Sequence, residues 1–177
     1  MILESHSQAG QDLFAYDASD RKRKGTFLDI GCNDAVFHSN TYALEQIGWR
    51  GLLVDIAPFD MSKRKSPFVL ADASKVCPAI QGFMADHNWF IDYLSLDVDE
   101  WTYQALIALP LGLCRFGCIT VEHDLYLRGP GPQEAIRKTL MGHGYTLACG
   151  DVVAPGYGVF EDWFVDPNYH EGAIRKH

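Results

Sequence analysis

The stretch Thr26-Phe-Leu-Asp-Ile-Gly-Cys-Asn-Asp-Ala-Val-Phe-His-Ser-Asn-Thr41 decides how this chain folds. A short apolar strand, residues 26–30, runs into a glycine and a polar loop, and Ser39 or Asn40 can cap the helix that follows. In an open α/β sheet, ligands sit at the carboxyl ends of strands, near the point where strand order reverses. An early strand-turn-helix of this kind is where an adenosine cofactor is held. A dinucleotide fingerprint requires G-x-G-x-x-G, so that backbone and helix N-terminus can approach a pyrophosphate. Here those positions are Gly31, Asn33 and Val36. Asp29 stands just before the turn, where it repels a phosphate and suits a cation. S-adenosylmethionine carries a sulfonium and an ammonium but no phosphate, so the turn fits a methyl donor better than a nicotinamide dinucleotide. Taken alone, the turn is equally consistent with a buried strand end whose acid caps backbone amides.

Working outward, the chain alternates. A first helix is predicted over residues 8–16, and the helix after Ser39 runs to Ile47 with Gly48 as its stop. Strand 2 covers 51–54, a short basic helix follows Pro58, and strand 3 covers 68–70. Pro78 opens a helix to His87. Strand 4 covers 91–96. Trp101, Ala105, Ala108 and Leu109 then show the i, i+4, i+7, i+8 spacing of an amphipathic helix, closed by Pro110 and Gly112. Strand 5 covers 118–121, and Gly131-Pro132 opens a helix with Ile136 and Leu140 on one face. Strands 6 (145–149) and 7 (159–165) follow each other with no helix between them, as in an antiparallel hairpin at the edge of a mostly parallel sheet. The expected architecture is a single α/β domain over residues 1–177 with seven strands and helices on both faces.

One regularity points to a site. Asp29, Asp55, Asp72, Asp97 and Glu122 each fall at or just past the carboxyl end of five successive strands. In parallel strands, all five lie along one rim. One acid at a strand end is routine capping; five in a row mark a polar site on that rim.

Composition narrows the function. The 177 residues carry a net charge of −8, from 15 basic and 23 acidic residues. That balance argues against gripping nucleic acid by its phosphates. The two basic runs, Arg21-Lys-Arg-Lys24 and Lys63-Arg-Lys65, read as solvated loops or helix ends. No stretch reaches the apolar length that spans a bilayer. The N-terminal Met1-Ile-Leu-Glu-Ser-His6 lacks a secretory pattern. The five cysteines are scattered, and Cys114 and Cys118 lack a second pair to complete a zinc site; they read as buried thiols in a reducing cytoplasm. Nothing in the sequence sets an oligomeric state.

The chain resembles the FkbM-type methyltransferases, which use S-adenosylmethionine. The resemblance rests on Ser7-Gln-Ala-Gly-Gln-Asp-Leu-Phe14, Gly25-Thr-Phe-Leu-Asp-Ile-Gly-Cys-Asn-Asp34, Ser39-Asn-Thr-Tyr-Ala-Leu-Glu45, Gly48-Trp-Arg-Gly-Leu-Leu-Val54, Asp92-Tyr-Leu-Ser-Leu-Asp-Val98, Val121-Glu-His123 and Phe160-Glu-Asp-Trp-Phe-Val165, in that order. It departs from the family at Ala35, usually glycine, at Asp55-Ile-Ala-Pro58, usually Glu-Pro, and at Asp99-Glu100, usually Glu-Gly. The resemblance implies a Rossmann-like methyltransferase fold. It places Asp29, Gly31, Cys32 and Asn33 at the methionine end of the donor and Asn40 and Thr41 beside it at a helix N-terminus. Asp55 and Ile56 fall at the ribose, Asp72 and Ala73 at the adenine, and Asp97 near the donor amine or reacting methyl. It also implies O-methylation of a hydroxyl on a sugar, a glycan or a small natural product.

An alcohol acceptor must lose a proton, and a histidine at a strand end is a natural base. His123, directly after strand 5, is the candidate, with Asp97, Asp99 and Glu122 beside it; His38 is next. A histidine bonded to backbone is the structural alternative. Asp97, Asp99, Glu122, His123 and Asp124 are also compatible with a divalent metal, but acids on this rim already have cofactor tasks, so a metal-free site is expected. The aromatic-rich segment Tyr157, Phe160, Trp163, Phe164 and Tyr169 reads as packing, and Gly156 and Gly158 would let its loop act as a lid. Two rival functions remain: a family member without activity that binds cofactor or partner, and an NAD(P)-dependent oxidoreductase, which the missing glycines disfavour.

Overall fold

The structure, a computed structural model, describes residues 3–169. The expectations of an N-terminus without a secretory signal and of one domain reaching residue 177 extend outside them. Seven strands form one sheet: β1 (Thr26–Ile30), β2 (Arg50–Asp55), β3 (Phe68–Leu70), β4 (Phe90–Leu96), β5 (Arg115–Glu122), β6 (Thr146–Val153) and β7 (Val159–Val165). Their spatial order is β3-β2-β1-β4-β5-β7-β6. The first five are parallel, and β7 lies antiparallel between β5 and β6. Strand order reverses between β1 and β4, which puts the glycine turn after β1 at the switch point where open α/β sheets bind ligands.

The central strands read as near-continuous apolar runs because both faces are covered. On one face, Leu28, Ile30, Leu94, Leu96, Ile119 and Val121 pack beneath α3 (Pro78–Asp86), α4 (Thr102–Ala108) and α6 (Pro130–Gly142). On the other, Phe27, Leu53, Tyr93 and Cys118 meet Ala15 of α1 (Gln11–Ala18), Leu44 of α2 (Tyr42–Gln46) and the fully buried Trp49. A short α5 (Leu125–Arg128) follows β5. No helix among the described residues is long and apolar enough to cross a membrane.

Several local expectations are corrected. The first helix starts at Gln11, not residue 8, because Asp12 gathers Ser5 Oγ, Ser7 Oγ and the His6 amide into a turn ahead of it. No helix follows Pro58; residues 56–67 form a loop with a turn at 62–63, where the Asp60 carboxylate accepts the Ser62 amide. The basic run at 63–65 is not wholly solvated, since the Arg64 side chain is completely buried. Trp101 ends a 3-10 turn, Asp99–Trp101, ahead of α4 and is exposed rather than part of the buried face. Cys114 and Cys118 are buried, as are Cys32 and Cys77, while Cys149 is exposed.

Candidate functional site

Gly31 fixes the geometry of the site. Its φ is +81°, and a Cβ there would stand 1.6 Å from the Asp97 carbonyl oxygen and 2.9 Å from Val98 Cγ1. The turn after β1 therefore presses directly on the end of β4. The Gly31 and Cys32 amides both donate to the Val54 carbonyl, and the Asp97 amide donates to Ile30. Only glycine tolerates both this conformation and this approach. Three strand ends are thereby drawn together around one cavity of about 700 Å³.

That cavity brings together most of the residues singled out from sequence. Asp29, Gly31, Cys32, Asn33, Asn40, Asp55, Ile56, Asp72, Ala73, Asp97 and Asp99 all line it, as does His38. Thr41 does not; it is fully buried and serves from behind. Its Oγ1 donates to Asp29 Oδ2 at 2.5 Å and accepts from Arg64 Nη2 at 2.8 Å. Arg64 also donates to Ser39 Oγ, the Ala35 carbonyl and Glu45 Oε2. Glu45 in turn accepts the Lys65 and Ser66 amides, which fastens α2 to the loop before β3. Arg64 is the largest omission of the sequence reading: a lone arginine inside a basic run gives no local sign of burial.

Asp29 is 2% exposed. Burial raises its pKa above the ordinary carboxylate value, against the opposing bonds from Thr41 and Ser95 and the charge of Arg64. With Ser95 donating to Asp29, the Ser95 Oγ accepts Asn40 Nδ2 at 3.0 Å. This chain of bonds turns Asn40 Oδ1 away from Ser95. That oxygen is buried and has no donor partner among the described residues. Asp55 accepts the Asn33 and Ala57 amides, one on each oxygen, and so orders the turn from the β2 side. Lys75 and Ser74 pull the Asp72 carboxyl down to about 2.

The β4–β5 side is built differently. Asp99 and Asp124 both have left-handed backbones, φ +51° and +50°, turning the chain just past β4 and β5. Oxygens of Asp99, Glu122 and Asp124 lie within 4.8 Å of one another. Burial, and then the charge of Asp97, raises the Glu122 pKa; Asp97 is raised as well, chiefly by burial. Glu122 Oε2 is buried with no donor partner among the described residues, and a proton held on Glu122 and donated to Asp97 accounts for the raised Glu122 pKa. Arg128 is the guanidinium on this wall, and it reaches both Asp124 and Glu100.

His123 is not brought to this cavity. Its side chain is completely buried. Nδ1 accepts the Leu125 amide at 3.2 Å, and Nε2 faces Gln133 at 3.3 Å and Asp162 at 3.5 Å. Burial of Asp162 is outweighed by Arg137, which grips both its oxygens, so its pKa is lowered. The ring thus joins β5, β7 and α6 and lines an adjoining cavity of about 250 Å³, which shares Asp99, Glu100, Glu122 and Arg128 with the larger one. The 154–158 loop does reach the larger cavity, through Tyr157, whose ring meets Tyr126 edge-on at 6.4 Å.

No family model matches this sequence, and no curated protein matches it. Solved structures do. A Clostridium thermocellum "putative rRNA-methylase" superposes with a TM-score of 0.57 at 15% identity, over 92% of this chain and 97% of that one. Cofactor-bound Rv0187 from MTB superposes with a TM-score of 0.58 at 13% identity, over 88% of this chain and 78% of that one. The fold is the Rossmann-like methyltransferase fold, with its antiparallel C-terminal hairpin.

Proposed function

We propose that the protein is an S-adenosylmethionine-dependent methyltransferase of the FkbM type, acting on a hydroxyl of a sugar, glycan or small natural product. The observation that carries this reading is Asn40 Oδ1, a buried acceptor without a donor, in a cavity also lined by acids from five parallel strand ends. An unsatisfied buried polar atom costs free energy unless a ligand completes it. A donor's ammonium does so, and the acids around it suit a cation where they would repel a pyrophosphate. The residues present therefore fit the cofactor.

Asn40, Asn33 and Cys32 would hold the methionine end, with Asp29 and Thr41 fixing them from behind. Asp55, whose oxygens keep free lone pairs beyond their two amide bonds, would take the ribose hydroxyls. Ile56, 72% exposed at the cavity mouth, and Ala73 would cover the adenine. Bound there, S-adenosylmethionine would supply an electrophilic methyl: an acceptor oxygen would bond to that carbon as the S–C bond breaks, its electron pair passing to sulfur. The acceptor's proton goes to the rim carboxylate of Asp97; His123, its ring buried against Gln133 and Asp162, supports the end of β5. Glu122 keeps its own proton on Asp97 and orients that carboxylate.

Calorimetry with S-adenosylhomocysteine tests the reading. The wild type binds, and Asp55→Ala and Asn40→Leu each weaken binding by about tenfold or more. Equal binding by wild type and both variants would exclude the assignment.

A further inference from the structure

The half of the cavity beyond Asp97 has a chemistry of its own. Three aromatic rings stand open on it: Trp101 is 55% exposed, Tyr157 44% and Tyr126 43%. These come from the turn after β4, the β6–β7 loop and α5, and Gly158 lets that loop close on Tyr126, since a Cβ there would lie 2.4 Å from Tyr126 Cβ. Large exposed rings gathered at one cavity mouth mark a binding surface rather than packing. Between them stand Asp97, Asp99, Glu100, Glu122 and Asp124, against which the wall sets the single guanidinium of Arg128. Even with one proton kept by the Asp97–Glu122 pair, this wall remains negative.

We propose that this half of the cavity takes an acceptor with an aromatic body bearing a protonated amine. The inference rests on the donor reading above and names the acceptor class for the same site. The rings pack on the body and attract the cation through their faces. Asp99, exposed, supplies the counter-charge, with Glu100 beside it bridged by Arg128. A divalent metal would use the carboxylates and leave the rings without a part, because hard cations take oxygen ligands. An anionic acceptor, such as a phosphorylated sugar or a nucleic acid backbone, meets a wall of its own sign.

Three probes of one shape and different charge test it: tyramine, 4-ethylphenol and 3-(4-hydroxyphenyl)propionate. Each is titrated calorimetrically into the wild-type protein at neutral pH, with and without S-adenosylhomocysteine. The expected order is tyramine, then 4-ethylphenol about tenfold weaker, then the propionate weaker still. Asp99→Asn keeps the left-handed backbone, which asparagine adopts readily, and narrows the ratio of tyramine to 4-ethylphenol affinity several-fold. Trp101→Ala weakens all three probes, tyramine the most. Equal binding of the three, or tightest binding by the propionate, overturns the inference. So does a preference for the propionate that appears on adding Mg²⁺, which would assign the acids to a metal. Failure of S-adenosylhomocysteine to bind sinks the donor reading instead, and the probe order without it is still read.

Discussion

On the β1–β3 side of the rim, protein groups meet the acids: Asp29 by Thr41 and Ser95, Asp55 by two amides, Asp72 by Lys75 and Ser74. On the β4–β5 side, Asp97, Glu122, Asp99 and Asp124 crowd one another and raise the Glu122 pKa. In the first half the acids are settled before any ligand arrives, and Asn40 Oδ1 is left for a ligand to complete. The second keeps an imbalance that a ligand must answer. On the proposed function, a half that would bind one fixed cofactor gains from pre-organisation, whereas the half that would select the acceptor carries unmet charge and open rings.

The sharpest way to break the first half is Arg64→Leu. It strands Glu45 and Asp29 in the interior, and removal of one partner from a buried ion pair costs about 3–5 kcal/mol; urea denaturation should show that loss, together with weaker S-adenosylhomocysteine binding. Gly31→Ala comes next. Its Cβ would collide with the Asp97 carbonyl, for about 3 kcal/mol of strain and displaced backbone, and the two halves should lose register together. A variant as stable as the wild type would show that the β1 turn and β4 do not press on each other.

Beneath the second half, Glu161 pairs across β7 with Glu122 and accepts Gln11 Nε2 and Trp163 Nε1 in a buried pocket. Burial pushes its pKa from an ordinary 4.5 up to about 8. The folded chain therefore holds a proton there that the unfolded chain releases. This contribution is fully present below about pH 4.5 and is lost as pH rises through about 8. Glu161→Gln should flatten that fall by on the order of 2 kcal/mol, read from denaturation midpoints at pH 5 and pH 8; an unchanged slope would place the titration elsewhere. The smallest effect belongs to Lys75→Ala. The pair with Asp72 is solvent-exposed on the lysine side, and such pairs contribute little, so both the unfolding midpoint and donor affinity should stay within error.

Much of this was legible in the residues. The apolar runs at 26–30, 68–70 and 159–165 became strands with those bounds, and each strand-end acid lies on the rim because parallel β1–β5 leave no other place for it. What was not legible depends on contacts distant in sequence. His123 sits where a rim base is expected, yet Asp162 and Gln133, on β7 and α6, turn its ring inward. Arg64 is buried because Glu45, Thr41 and Ser39 converge on it from α2 and its approach. Trp101 fits a helical stripe on paper, but the 3-10 turn after the left-handed Asp99 rotates it out to the cavity mouth.

The position of β7 bears on how the chain is made. β5 precedes β6 and β7 in sequence, but its sheet neighbour is β7. During synthesis, the edge of β5 therefore stays bare until residues 159–165 have cleared the ribosome, although β1–β4 can already be paired. Its Phe116, Cys118, Ile119 and Val121 are all fully buried in the finished fold. A nascent chain stalled in the 154–158 loop presents that apolar strand edge to its surroundings, the kind of template that recruits other strands. Docking of β7 is thus the step that closes this edge.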